Sequence, residues 1–120
     1  MSVSPIVQYV VVRGDLITKL QWPIGAVIAQ ACHSCTAVIH LYYNDDTTKE
    51  YLGELDRMHK IILEAKDEES ITKLAENLTS HNIGHKLWIE QPENTPTCLA
   101  VKPYRKSDVQ QFFKAFKLLK

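Results

Sequence analysis

An excess of charge of one sign is absent from this 120-residue chain, because 14 lysines and arginines balance 14 aspartates and glutamates. A neutral total argues against a protein built chiefly to coat nucleic acid. Long apolar runs are also missing, and none approaches the roughly 18–20 residues that a membrane span requires. We therefore expect no membrane partner.

Cysteine is scarce and odd in number, with three residues in the chain. Residues 1–5 lack the basic region and apolar core that are typical of a secretory signal. Reduced thiols in the cytosol are the simplest interpretation of such a pattern. We therefore expect a cytoplasmic protein that does not depend on disulfides.

The residues that are present indicate one globular domain, which we place at residues 1–120. Hydrophobic residues make up 45% of the chain and charged residues 23%, which is typical of a soluble folded protein. The length suits one compact domain and is too short for two ordinary ones.

Alternating strands and helices predict the fold class. Residues 6–12 are β-branched and almost continuously apolar, which is typical of a strand buried on both faces. Further strands are predicted at 60–65, 86–89 and 97–101. Helices are predicted at 24–42, from 46 towards 58, after an Asp67 cap, and from Ser107 or Asp108 to 119. This order predicts an α/β three-layer sandwich, with a small, mixed, mostly parallel four-stranded sheet and helices on both faces.

One rim of this sheet is the predicted ligand site, because ligands bind beyond the carboxyl ends of parallel strands. Arg13 and Asp15 follow the first strand, and the helix that begins at Ile24 follows them. Glu90 joins this rim if the third strand is parallel to the first. A helix N-terminus favours negative charge, and Lys19 lies just before it in sequence.

The run Cys32-His33-Ser34-Cys35 places two cysteines three residues apart on the predicted helix. Together with Cys98 they could form a zinc or thiol site, but structural zinc sites usually have four ligands and loop-borne spacings. Cys35 also falls in the apolar stripe of the helix, where cysteine packs as a small hydrophobe. We favour packing and predict no metal site.

Several single residues allow two interpretations. His33 is either a packing or surface residue or part of a site, and Glu90 and Glu93 either serve chemistry or keep their loop soluble. Trp22 and Trp88 lie beside the rim, where they stack on a base or pack at the edge of the core.

Charge is unevenly distributed along the neutral chain. Residues 45–76 hold ten acids against five bases, whereas residues 102–120 hold six bases against one acid. The second segment, with Lys102, Arg105 and Lys106 at its start, is either a local basic face or a solvated last helix.

Three motifs stand in the same order as those of one known enzyme family. The family's Arg-x-Asp-Leu is matched by Arg13, Asp15 and Leu16, and its Thr-Val-Leu-Gly-Ile-Gly-Pro corresponds to residues 97–103. Its helical Gly-Lys-x-x-Ala-Gln-x-x-His-Ala is matched at Gly25, Ala29, Gln30 and His33. The chain thus resembles the type 2 (archaeal and eukaryotic) peptidyl-tRNA hydrolases, and the resemblance covers roughly residues 6–119.

Departures from the family pattern fall at functional positions. Ala26 occupies the place of the family's functional lysine. Glu90 stands where the family has an aspartate, and Thr95 falls near the family's threonine in a shorter loop.

The resemblance implies hydrolysis of the ester between a peptide and tRNA, by an activated water and without a cofactor. For this reaction our hypothesis assigns catalytic roles to Asp15, Lys19, His33 and Glu90. It assigns substrate binding to Arg13, Gly25, Gln30, Thr95, Lys102, Arg105 and Lys106. Peptidyl-tRNA is the implied partner, bound through the local basic face, and a homodimer is left open. The alternative, which Ala26 favours, is a tRNA-binding module of the same fold with weak or no hydrolysis.

Overall fold

The predicted first strand forms the middle of a mixed sheet in an α/β domain. The computed structural model describes residues 4–120. The strands are β1 (Ile6–Arg13), β2 (Lys60–Ala65), β3 (His85–Glu90), β4 (Thr95–Val101), β5 (Tyr104–Arg105) and β6 (Lys117–Leu118). The helices are α1 (Asp15–Thr18), α2 (Ile24–Leu41), α3 (Asp46–Leu52), α4 (Glu68–Ser80) and α5 (Lys106–Val109), with 3₁₀ turns at Leu55–Arg57 and Gln110–Phe113.

The sheet corrects two predictions. It has six strands rather than four, in the order β3-β4-β1-β2-β6 with β5 also paired to β1. It is not mostly parallel, since β1 and β2 form its one parallel pair in the described chain. The short turn at residues 91–94 sends β4 back beside β3, and so tight a connection makes antiparallel neighbours. β5 and β6 have two residues each, which is too short for a visible alternation of apolar and polar residues.

The predicted last helix is also wrong. α5 ends at Val109, a 3₁₀ turn follows, and the chain then enters β6. The aromatic residues of this segment pack without a long helix: Phe113 is buried and stacks on Tyr9, with ring centroids 4.2 Å apart. The helix predicted from 46 towards 58 is shorter too, because it ends at Leu52, directly before Gly53.

Alternate residues of β1 enter two hydrophobic clusters, which explains why the strand is apolar throughout. One cluster contains Val7, Tyr9 and Val11 together with residues of α4 such as Ile71 and Leu78. The other contains Val10 and Val12 together with Val27 and Val38 of α2. The predicted Asp67 cap of α4 is confirmed, because its carboxylate accepts a hydrogen bond from the Ser70 backbone N–H at 2.9 Å.

α2 qualifies the expectation that no segment has the length and apolarity of a membrane span. It is 18 residues long with a mean hydropathy of 1.5, and in residues 4–120 it is the one helix that could cross a membrane by length and composition. The sequence expectation counted unbroken apolar runs and missed it, because uncharged polar residues such as Gln30 and Ser34 interrupt the run. The indication is weak, since a core helix of a soluble protein meets the same criteria, and α2 packs Val27 and Val38 into the core.

Gly84 is a position where a side chain does not fit. A Cβ there would lie 2.9 Å from Tyr42 Cζ and 3.2 Å from Lys102 Cδ. We expect Gly84→Ala to lower the free energy of unfolding by about 1–3 kcal/mol, because a packed ring would have to move. Gly25→Ala is the matched control, since a Cβ at Gly25 meets nothing within 4 Å. Urea denaturation of both variants tests this, and equal stabilities would contradict the expected clash.

Candidate active site

The ends of β1 and β3 lie on the same rim of the sheet. β4 is antiparallel to both strands, so β1 and β3 run in the same direction. Arg13 ends β1 and Glu90 ends β3. Glu90 was predicted to join the rim if the third strand runs in the same direction as the first, and this condition is met.

Arg13 and Asp15 form a buried ion pair just beyond β1. Arg13 is 5% exposed, and its Nε and Nη2 donate hydrogen bonds to the two carboxylate oxygens of Asp15 at 3.0 and 2.9 Å. Its Nη1 donates to the Pro96 carbonyl oxygen at 2.9 Å and lies 3.7 Å from Glu68 Oε1. Arg13 therefore fixes the Asp15 carboxylate and joins β1 to the start of β4.

Gln30 is buried in α2, and its amide is fully oriented by its neighbours. Thr97 Oγ1 donates a hydrogen bond to Gln30 Oε1 at 2.9 Å. The nitrogen side of the amide is identified by its other neighbours, because a carboxylate and a carbonyl oxygen can only accept hydrogen bonds. The Gln30 Nε2 then donates to Glu90 Oε2 and to the Ala26 carbonyl oxygen, both at 3.2 Å. Because the amide cannot turn without losing these bonds, its N–H group points at Glu90.

Glu90 is held as a carboxylate anion by two donors. Trp88 Nε1 donates to Glu90 Oε1 at 3.0 Å, and Gln30 donates to the other oxygen. These hydrogen bonds, that of Trp88 first and that of Gln30 second, lower the pKa of Glu90, and nearby His33 lowers it further. Glu90 is therefore ionised at neutral pH and presents its remaining lone pairs to the rim.

His33 stacks on Trp88, with ring centroids 4.7 Å apart and planes 26° from parallel. The imidazole is exposed to solvent, one turn after Gln30 on the same side of α2. His33 is thus a neighbour of the Glu90 site.

Three further predicted residues lie around the rim. Lys19 is exposed directly after α1, and its backbone N–H donates to the Asp15 carbonyl oxygen at 3.0 Å. Gly25 lies in the first turn of α2, and a Cβ added at Gly25 would meet nothing within 4 Å. Thr95 pairs with Glu90 across β3 and β4.

The structure does not bring Lys102, Arg105 and Lys106 to this rim. Arg105 pairs with Ile6 at the start of β1, seven residues from Arg13, or roughly 23 Å at 3.3 Å per residue. Lys102 Nζ bonds Asp45 at 2.8 Å, and Arg105 bonds Glu50 at 2.8 Å. The basic residues thus occupy the far end of the sheet, where acids neutralise at least two of them.

Cys35 and Cys98 pack against the core, whereas Cys32 is exposed, so the packing prediction is wrong for Cys32. Cys35 lies against the cluster that contains Val27 and Val38, and buried Cys98 accepts a hydrogen bond from Ser34 at 3.2 Å. Burial raises the pKa of the Cys98 thiol to about 12, which makes it unreactive at neutral pH. Within residues 4–120 no group of three or more His, Cys, Asp or Glu is placed to hold a metal ion.

Sequence reasoning missed how Trp88, Pro96 and Thr97 act in the site. Trp88 and Glu90 are two apart on a strand and therefore share a side, which is a signal that could have paired them. Thr97 begins one of the quoted motifs but was not connected with Gln30. The contact with the Pro96 carbonyl oxygen could not be predicted from the sequence, because any residue at that position has a backbone carbonyl group.

Comparisons with known proteins identify the family of the chain. Residues 6–119 match the family model of peptidyl-tRNA hydrolase PTH2. The mouse protein named "Putative peptidyl-tRNA hydrolase PTRHD1" is 51% identical over 116 residues, which cover 96% of this chain and 83% of the relative. The human protein of the same name is 50% identical with the same coverage. The chain therefore belongs to the PTH2 family of peptidyl-tRNA hydrolases.

Proposed function

We propose that this protein hydrolyses peptidyl-tRNA, cleaving the ester between the peptide and the ribose at the 3′ end of tRNA. The observation that carries the proposal is the ionised Glu90 carboxylate, held by Trp88 and Gln30 on the same rim as the Arg13–Asp15 pair. Family membership supports the same reaction class.

In this proposal Glu90 orients the attacking water. A carboxylate with a lowered pKa is a weak base, so its main contribution is to hold the water and to stabilise positive charge that develops on it. The water oxygen bonds to the carbonyl carbon and gives up a proton, the carbon–oxygen bond to ribose breaks, and the ribose oxygen takes the proton that the water gave up. Asp15, fixed by Arg13, adds a second carboxylate for the water network, and His33 supports Trp88 by stacking.

The developing negative charge requires donors or a positive field on the other side of the ester. We assign this role to the first turn of α2 around Gly25, where free N–H groups and the helix dipole favour an anion. Lys19 is exposed nearby in sequence and supplies a cation in place of the family lysine that Ala26 replaces. Thr95, opposite Glu90, completes the wall of the site.

The tRNA itself extends well beyond the ester. We propose that Lys102, Arg105 and Lys106 contact its phosphates away from the reaction, since the domain is 45 Å long and they lie at the other end of the sheet. Lys102 and Arg105 would exchange Asp45 and Glu50 for phosphate, so this binding should weaken as salt is added.

Hydrolysis of a purified peptidyl-tRNA by the wild-type protein tests the proposal. We expect release of free tRNA and peptide that saturates with substrate. The alternative is a tRNA-binding module without hydrolysis, and Ala26 is the feature that favours it. Absent turnover with retained tRNA binding would establish the alternative, and Ala26→Lys would then show whether the missing lysine is the reason.

The pH dependence of the reaction should depend on Trp88. Its N–H is the largest cause of the lowered pKa of Glu90, and Trp88→Phe keeps a ring but removes that donor. The pKa of Glu90 should rise, so the acid limb of the kcat/KM profile should move to higher pH. Because the pKa of Glu90 is lowered in the folded protein, its ionised form contributes stability that is lost as pH falls through the folded pKa. This loss should be smaller in Trp88→Phe, where the pKa is lowered less.

A pH–rate profile of Trp88→Phe beside Trp22→Phe checks this expectation. Trp22 is only partly buried and packs against the cluster of Val27 and Val38. An acid limb that stays in place in Trp88→Phe would separate Trp88 from the ionisation of Glu90.

A further inference from the structure

A groove runs away from Glu90 between α2 and β3. The mechanism above uses His33 and Trp88 from its lining but places no part of the substrate in it. It is lined by Cys32, His33, Thr36, Ala37, His40 and Trp88 and has a volume of about 450 Å³. That volume falls within the roughly 300–1,000 Å³ of small-molecule sites.

Helical spacing produces the wall of this groove. His33, Thr36, Ala37 and His40 recur at three- and four-residue intervals, so they share one side of α2. Gln30 of α2 bonds Glu90, and His33, one turn later, meets Trp88 two residues earlier on β3. α2 and β3 thus pass each other in opposite directions, and the groove continues from the rim towards His40.

Trp88 joins the groove to the candidate reaction centre. Its indole N–H donates to Glu90 at 3.0 Å while its ring lines the groove and stacks on His33. A group in the groove is therefore separated from Glu90 by the Trp88 side chain alone. One nucleoside or one amino-acid residue is long enough to span that distance.

The lining is aromatic and small rather than charged. It offers an indole, two imidazoles, a thiol, a methyl group and a hydroxyl, and none of its residues is a carboxylate, lysine or arginine. Such a surface suits a flat ring that stacks and makes few polar contacts. The peptide part of the substrate varies in its side chains, whereas every tRNA ends in the same adenosine.

We propose that the groove between α2 and β3 binds the terminal adenine of tRNA, stacked with the His33–Trp88 pair. This inference rests on the proposed hydrolysis, because the reacting ester is what places the nucleoside beside Glu90. Binding the base there would hold the adjoining ribose ester against the rim.

Two small esters of the same N-acetylated amino acid test the proposal by hydrolysis. One carries adenosine and the other a ribose without a base. We expect the wild type to prefer the adenosine ester in kcat/KM by roughly tenfold or more, mainly through KM. Ala37→Leu fills the groove and should remove most of this preference, whereas Ala115→Leu, at an exposed position far along the chain, should keep it.

An unchanged preference in Ala37→Leu would overturn the adenine site while leaving the proposed hydrolysis intact. A changed preference among C-terminal residues of the peptide, with no change for the base, would assign the groove to the peptide and likewise overturn it.

A binding measurement keeps the test independent of turnover. Titration of the trinucleotide CCA into Trp22→Phe should quench the fluorescence of Trp88, and Ala37→Leu added to this background should weaken the quenching by about tenfold. If CCA quenches Trp88 but peptidyl-tRNA is not cleaved, the adenine site stands and the hydrolase proposal fails. CCA that binds without affecting Trp88, or does not bind, would overturn the adenine site.

Discussion

Glu90→Gln should lower kcat for peptidyl-tRNA hydrolysis by about 10²–10³-fold, the usual loss when one preorganised electrostatic contact to the transition state is removed. Glutamine keeps the size of the side chain but removes the negative charge that holds the water. It also places an NH₂ group towards Gln30 or Trp88, both of which donate to the native carboxylate. Affinity for tRNA should change little, because Glu90 adds no attraction for phosphate. Single-turnover hydrolysis and a separate binding assay measure the two effects.

Glu93→Gln provides the matched control for this loss. Glu93 is an exposed carboxylate in the turn that follows Glu90, so its replacement removes the same charge from the same part of the molecule. It should leave kcat nearly unchanged. Glu90→Asp, which restores the family's residue, should retain part of the activity. A kcat of Glu90→Gln within about threefold of the wild type would contradict the catalytic assignment of Glu90.

Arg13→Met should lower the free energy of unfolding by about 3–5 kcal/mol, because it leaves a buried carboxylate without its partner. The Asp15 side chain is 11% exposed and receives two hydrogen bonds from Arg13. The Pro96 carbonyl oxygen loses its donor as well. Denaturation in guanidinium chloride measures the change in stability, and activity should fall because Asp15 is released.

The double variant Arg13→Met/Asp15→Leu separates the stranded charge from the loss of packing. It should recover part of the lost stability, since the carboxylate that has no partner is gone. Arg57→Met is the control for a surface pair, because Arg57 is 83% exposed and lies 4.0 Å from Glu54. Its effect should stay within about 1 kcal/mol. A loss below about 1 kcal/mol in Arg13→Met would show that the buried pair does not stabilise the fold.

The sequence predicted those parts of the fold whose signals are local. β1 and β2 have dense apolar runs, and α2 and α4 have regular apolar periods with recognisable starts at Pro23 and Asp67. The position of β4 between β3 and β1 could not be predicted, because it depends on which strand edges the hairpin meets. The last segment was mistaken for a helix because Phe112, Phe113 and Phe116 have helical spacing, although they pack from a 3₁₀ turn and an irregular segment.

In the candidate site, too, local signals could be predicted from the sequence and long-range contacts could not. Strand direction predicted that Arg13 and Asp15 share one rim, and that Glu90 joins them if the third strand is parallel to the first. Gln30 was named only from the family motif, and its place beside Glu90 comes from the structure. The acid partners of Lys102 and Arg105 come from α3 and the residue before it, 55 to 57 positions away in sequence. Contacts over that distance are set by tertiary packing and leave no sign in a charge count. The two donors to Glu90 are likewise defined by side-chain positions that only the folded chain provides.

The order of strands has a consequence for chains that end early. β4 fills the gap between β3 and β1, yet it is made of residues 95–101, from the last quarter of the chain. A chain that stops before residue 95 would contain both neighbouring strands and the α2 face, with nothing between them. Its two unpaired edges would favour pairing with other chains. We infer that the C-terminal quarter completes the centre of this protein, so that truncation there would cause aggregation and quality-control degradation rather than a shortened, working domain.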